Sequence, residues 1–176
     1  QAHFAAALRR ELSRPIVVVA RDERAAEALR ADYSALLEDE EGVFLPSREL
    51  VFHNIDNASH EQEHKRLRAL STFQQQGHAL FASAEALMLY TLPPEVLREA
   101  TLTLVSGEDY DLEDLTRKLI TWGYVRAEAV EGPGQFAVRG GIVDIYPPMA
   151  RFKDMNDESI VGAYPLRIEF FGDEID

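Results

Sequence analysis

The chain has 176 residues, enough for one ordinary domain or two small ones, and 46% of them are apolar, so it can bury a core and disorder is not expected. With no cysteine, a disulfide framework, a cysteine-based zinc site and thiol catalysis are excluded. The net charge is −13, with 15 acids against 7 bases over residues 101–176, which argues against a general nucleic-acid surface, because such surfaces gain affinity by neutralising phosphates. No apolar run approaches the roughly 20 residues of a membrane helix. No charged-then-apolar leader is present, so a cytoplasmic protein without a membrane partner is expected. A chain opening at Gln1 is read as a piece of a longer one.

In chain order, "AHFAAALRREL" reads as a helix stopped by Ser13 and Pro15. "PIVVVA" (Pro15–Ala20) is a continuous β-branched run, which predicts a strand buried on both faces. "DERAAEALRADYSALLEDE" predicts a second helix, with Asp22 as N-cap and Leu29, Tyr33 and Leu36 at helical spacing. "GVFLP" (Gly42–Pro46) predicts a second short strand. A turn-rich loop runs through "NIDNAS", and a helix follows from about Ser59 to Gln76. "HALFAS" predicts another buried strand, with Ser83 capping the helix of "AEALML". Strand–helix alternation of this kind predicts a three-layer α/β unit with a parallel sheet.

The pattern changes near residue 100. "ATLTLV" alternates, Asp111 opens an amphipathic helix to about Trp122, and "GYVRAEAV" alternates again. Beyond lie "GQFAVRGGIVDIYPP", a polar loop from Met149 to Gly162, and "YPLRIEFFGDEID". The expected organisation is an α/β domain over residues 1–100 and a small α+β domain with a mostly antiparallel sheet over residues 101–176.

Three motifs bear on chemistry. "HEQEH" (His60–His64) has the H-E-x-x-H form, in which two histidines share a helix face and hold zinc while the glutamate acts as general base. Here the intervening residues are Gln62 and Glu63, and Lys65 and Arg66 follow, so the motif occupies a charged first turn. Ser59 with Gln62 forms a capping box, and Glu61 and Glu63 suit the positive end of the helix dipole. The other histidines, His3, His53 and His78, stand in unrelated contexts. Helix-start chemistry accounts for the motif, and no metal is expected.

Nucleotide hydrolysis would need a G-x-x-x-x-G-K-[ST] loop to cradle phosphates. Before residue 100 only Gly42 and Gly77 occur, and neither precedes a lysine. The terminal "DEID" (Asp173–Asp176) has the D-E-x-D form of a magnesium motif, but with no phosphate loop it reads as a solvated turn. No catalytic residue and no cofactor is expected, unless a phosphate loop lies upstream of Gln1.

The third motif is "GQFAVRGGIVDIYPP". Phe136 and Val138 point one way along a strand, Gln135, Ala137 and Arg139 the other. Gly140-Gly141 is expected to supply the positive φ angles of a tight hairpin. In "LRIEFF", Leu166, Ile168 and Phe170 alternate onto the core face, leaving Arg167, Glu169 and Phe171 outward. An exposed aromatic one pleat from an arginine is a pairing frequent at binding hot spots. Arg139 and Arg167 stand out in an acidic domain, and a plainer reading is that they pair with local acids such as Asp144 and Glu169.

"GQFAVRGGIVDIYPP" followed by "YPLRIEFFGDEID" resembles the R-G-x-[IVL]-[IVL]-D-[IVL]-[FY]-P block shared by the excinuclease component UvrB and the transcription-repair coupling factor family. "FASAEALMLYTLPPEVL" and "HKRLRALSTF" are similar to the segments that precede it there. The coupling-factor family is the better match. UvrB carries a phosphate loop and an aromatic-rich DNA-gripping hairpin, whereas here only about 25 residues separate Pro46 from Ser71, with Phe52 their single aromatic. The resemblance implies a degenerate, helicase-like phosphate-loop domain without catalysis, then a domain that binds the excinuclease component UvrA. It places the partner contacts on Arg139, Arg167 and Phe171. It further implies that the full protein is an ATP-dependent DNA translocase meeting RNA polymerase and DNA through other parts. UvrB would then compete for the same surface of UvrA. A fragment of UvrB itself, or of another ATP-dependent DNA helicase, is the alternative.

Overall fold

The computed structural model describes residues 1–37, 40–47, 61–153 and 159–176, with side chains except those of 76, 152, 153 and 159–161. His53, His60, the "NIDNAS" loop and the Ser59 cap lie outside the described residues. The chain divides into two units, Gln1–Pro94 and Glu95–Asp176, and each is taken by itself.

In the first unit α1 (Ala2–Leu12) ends where Ser13 turns to φ 49° and its N–H donates to the Arg9 carbonyl at 3.0 Å. β1 (Ile16–Ala20) follows. Then α2 (Glu23–Leu36) starts on Asp22, whose carboxylate accepts from the Ala25 N–H at 2.7 Å. β2 (Val43–Leu45), α3 (Glu61–Gln76), β3 (Ala79–Ser83) and α4 (Ala84–Met88) complete the alternation, with the Ser83 hydroxyl accepting from the Ala86 N–H at 3.1 Å. The sheet is parallel throughout, in the order β1-β3-β2. Ala2, Ala5 and Ala6 of α1, together with Tyr33 and Leu37, pack on Ala79 and Phe81. The Tyr33 and Phe81 rings stand 5.2 Å apart and tilted. A second cluster joins Val43, Leu45, Leu80 and Ala82 to Ala69 and Ala86. Burial of a ring the size of Phe81, fully enclosed here, stabilises by about 2–3 kcal/mol.

One expectation fails in this unit. β1 is an edge strand, and Val17 and Val19 are half exposed (51% and 56%) while Ile16 and Val18 face α1 and α2. The strand enclosed on both faces is β3, all five residues of which are buried. An apolar run signals a parallel strand, but strand order decides which one sits in the middle.

The second unit opens with most of α5 (Pro94–Glu99), a helix the sequence reading omits although Pro94 occupies the favoured first helical position. α6 (Leu112–Thr121) is capped by Asp111, which accepts from the Glu113 and Asp114 N–H groups at 2.7 and 3.0 Å. Then come β4 (Val125–Arg126), β5 (Gln135–Arg139), β6 (Ile142–Tyr146), β7 (Ala150–Lys153), β8 (Ser159–Gly162), β9 (Leu166–Phe171) and β10 (Glu174–Ile175). The main sheet has the order β10-β9-β6-β5-β4 and is antiparallel except for the short β4–β5 pairing. Leu115 and Leu119 of α6 pack against Phe136, Val143, Ile145, Phe170 and Ile175 on one face of it.

Four local expectations are corrected here. The alternating Thr101–Val105 forms no strand, yet Leu102 and Leu104 pack on the core, so the alternation records burial without ladder pairing. "GYVRAEAV" yields only the two residues of β4. The supposed loop from Met149 to Gly162 contains a hairpin, β7 paired with β8. Finally, "DEID" is only partly a solvated turn: Asp173 lies in the turn, but Glu174 and Ile175 form β10 paired with β9, and Ile175 is buried.

Candidate functional site

The β5–β6 hairpin turns at Gly140-Gly141, but the two glycines serve different needs. Gly140 has φ 60°, the left-handed region, as expected. Gly141 does not share the positive φ predicted for it. Its missing side chain instead admits β9: a Cβ there would stand 2.6 Å from the Phe170 carbonyl oxygen, and the Phe170 N–H donates to the Gly141 carbonyl at 2.7 Å. This close approach sets β6 against β9 and so fixes which residues share the outer face.

That face follows from the register. Ala137 pairs with Asp144, and Asp144 with Arg167, forming one row across β5, β6 and β9. The next row is Arg139, Ile142 and Glu169. Phe171 stands one pleat further along β9, opposite Glu174. The core side holds Phe136, Val143, Ile145 and Phe170, all buried. The outward alternation read from "LRIEFF" is therefore what the fold contains, with Arg167, Glu169 and Phe171 all exposed.

Arg139, Arg167 and Phe171 thus lie on one face, in three successive rows. Phe171 is 75% exposed, the most exposed phenylalanine among the described residues. The Arg167 Nε–H donates to Asp144 Oδ1 at 2.7 Å and an Nη2–H to Oδ2 at 3.0 Å, a bidentate pair. This bond, aided by the Arg139 charge, holds the Asp144 carboxyl below its ordinary range and raises the Arg167 pKa. Arg139 donates from Nη2 to the Glu128 carbonyl. The local pairing with Asp144 that the sequence allowed is present for Arg167. For Arg139 the local bond goes to backbone.

Sequence reading named Asp144 only as an acid that could pair with the arginines and did not place Ile142 on this face. Their signal was available: in "IVDIY" an acid interrupts an apolar strand, and an acid at that position must face outward or find a cation.

The remaining motifs lead elsewhere. His64 lies on α3 and His78 just before β3, and no group of three His, Asp or Glu residues is arranged to hold a metal among the described residues. Between β1 and α2, where a strand–loop–helix could receive phosphate, only Arg21 and Asp22 intervene. The Asp22 carboxylate occupies the helix N-terminus that an anion would need. A cleft of about 660 Å³ between α2, β2 and α3 is lined by Glu27, Arg30 and Lys65. Within it Arg30 pairs with Glu27 at 2.7 Å, and Lys65 pairs with Glu61 at 2.7 Å. Among the described residues no helix is long and apolar enough to cross a membrane.

Residues 102–176 match the family model described as the UvrB interaction domain. The chain is 30% identical over 174 residues to the transcription-repair-coupling factor of Bacillus subtilis, covering 98% of the chain and 14% of the relative. It is 34% identical over 182 residues to that of Myxococcus xanthus, covering 99% of the chain and 14% of the relative. A similarity of 30% over 152 residues, 86% of the chain, links it to the same factor of Staphylococcus aureus. The chain thus spans about one seventh of the length of these curated relatives. Residues 102–176 are a UvrB interaction domain, carried on a chain that belongs to the transcription-repair-coupling factor family.

Proposed function

We propose that this chain is the recruiting part of a transcription-repair coupling factor, and that it binds the excinuclease component UvrA in nucleotide excision repair. The observation that carries this reading is the outer face of the second unit's sheet. There Arg139, Arg167 and Phe171 share one side, opposite the side on which α6 packs. A ring exposed beside two guanidinium groups is the composition of a protein-binding hot spot. The first unit is read as a degenerate, helicase-like phosphate-loop layer that takes no nucleotide, a reading supported by the Asp22 cap on α2. On this proposal the chain carries out no catalysis. The ATP-dependent translocation of DNA and the contact with RNA polymerase belong to other parts of the full protein, acting in the cytoplasm. UvrB competes for the same surface of UvrA.

Titration calorimetry with purified UvrA tests the site. Arg139→Ala, Arg167→Ala and Phe171→Ala should each weaken binding by about 2 kcal/mol or more with the fold intact. If all three folded variants bind like the parent, the face is wrongly assigned. Titration with Mg-ATP tests the first unit, and saturable heat at micromolar nucleotide would end the degenerate reading.

A further inference from the structure

We infer that Asp144 is a positioning residue, holding the Arg167 guanidinium in the orientation in which the partner receives it. This rests on the proposed role of the outer face. The geometry makes the division of labour plain. Asp144 sits on β6, the middle strand of the sheet, with its side chain 21% exposed, whereas that of Arg167 is 57% exposed. The inner group anchors and the outer one is presented. The two parallel bonds, at 2.7 and 3.0 Å, use Nε–H and one N–H of Nη2. A guanidinium has five N–H donors in a rigid plane. The three left over, both on Nη1 and the second on Nη2, take no partner among the described residues. They form an edge suited to an acceptor on the partner, a carboxylate, a side-chain amide or a backbone carbonyl.

An exposed pair of this kind adds little to folding stability, so stability is a weak reason for an acid in the middle of β6. Fixing a long side chain beforehand is a stronger one, because a flexible arginine loses rotamer freedom when it binds. The neighbouring row supports this. Glu169, on the same strand as Arg167, lies beside Ile142 and Arg139, and its charge acts on Arg167 without bonding it. Asp144 alone among these acids grips the guanidinium.

The test measures binding of the chain to purified UvrA for the parent, Arg167→Ala, Arg167→Lys, Asp144→Asn and the double variant Asp144→Asn/Arg167→Ala, with a thermal midpoint for each. Arg167→Ala should weaken binding about thirtyfold or more. Asp144→Asn should weaken it about fivefold or more with an unchanged midpoint. The double variant should bind no more weakly than Arg167→Ala alone, because Asp144 acts through Arg167. Arg167→Lys keeps the charge but cannot form two parallel bonds and still offer an edge, so it should fall close to Arg167→Ala. If Arg167→Ala weakens binding while Asp144→Asn binds like the parent, or if the two losses add, the positioning role is overturned and the interface reading stands. If Arg167→Ala itself binds like the parent, both fall together.

Discussion

The middle strands of the two sheets dispose of their faces in different ways. β3 of the first unit is buried at every residue, with α1 and α2 packed on one side and α3 and α4 on the other. β6 of the second unit alternates, with Val143 and Ile145 buried toward α6 and Ile142, Asp144 and Tyr146 half-buried on the opposite side. The cause is connection geometry. Parallel strands must be joined by crossovers, whose helices cover both faces, whereas hairpins allow a single helix to cover one. Among the described strand residues of the first unit only Val17 and Val19 on the edge strand are exposed, and they offer no charge and no side-chain donor. In the second unit the outer face of the sheet carries arginine, aspartate and an aromatic ring, with Arg139, Arg167 and Phe171 exposed. A surface of that kind can discriminate between partners, since each donor left unmatched by a wrong partner costs binding energy.

If the first unit depends on its doubly covered strand, the largest effect should come from its centre. Phe81→Ala removes a fully enclosed ring and should destabilise by about 3–5 kcal/mol in denaturant unfolding. A loss under about 1 kcal/mol would mean that the two-sided packing of β3 is not what holds this unit. In the second unit the corresponding weak point is backbone. Gly141→Ala would set a Cβ 2.6 Å from the Phe170 carbonyl, and the ladder can yield only by moving β9. About 1–3 kcal/mol should be lost, and amide exchange should quicken across β6 and β9 but not β7 and β8.

The helix caps offer a matched pair across the two units. Asp22→Ala and Asp111→Ala each delete a carboxylate that accepts from free helix N–H groups, and each should cost about 1 kcal/mol. Asp111 satisfies two donors and Asp22 one, so the second unit should suffer more, and equal or reversed losses in paired melts would contradict that ordering. The smallest effect is acid titration. Arg117 and Lys118 lie 2.5 and 2.9 Å from Asp114 and hold its carboxyl down at about 2. A carboxyl depressed by folding stabilises above its unfolded pKa of about 3.9. That contribution is lost as pH falls toward the folded value of about 2. Carbon-detected NMR of Asp114 should show a midpoint well below that of an unperturbed aspartate, and a midpoint near 4 would dissolve the proposed network.

Much of the fold was legible because its signals are local. Caps at Asp22, Ser83 and Asp111 announce helix starts, since a short polar side chain there satisfies N–H groups no other residue can reach. The alternation of "LRIEFF" likewise places Arg167 and Phe171 outward by chain geometry alone. The candidate site was legible to that extent: which residues leave the core, on which strand. Asp144 was legible as one of two acids that Arg167 could pair with, but the choice of Asp144, 23 positions away, over its neighbour Glu169 was not.

By itself the sequence determined the elements whose causes lie within a few residues: the capped helices, the alternating strands and the turn at Gly140. Tertiary structure alone decided the rest. Strand order made β3 rather than β1 the enclosed strand, although "IVVVA" is the more uniformly apolar of the two. The register of β6 between β5 and β9 brought Ala137, Asp144 and Arg167 into one row. The approach of β9 required a glycine at 141 for reasons unrelated to its own φ. Each of these is a property of pairs distant along the chain. Local conformational preference has no means of encoding such pairs, because their energy exists only once the strands have met.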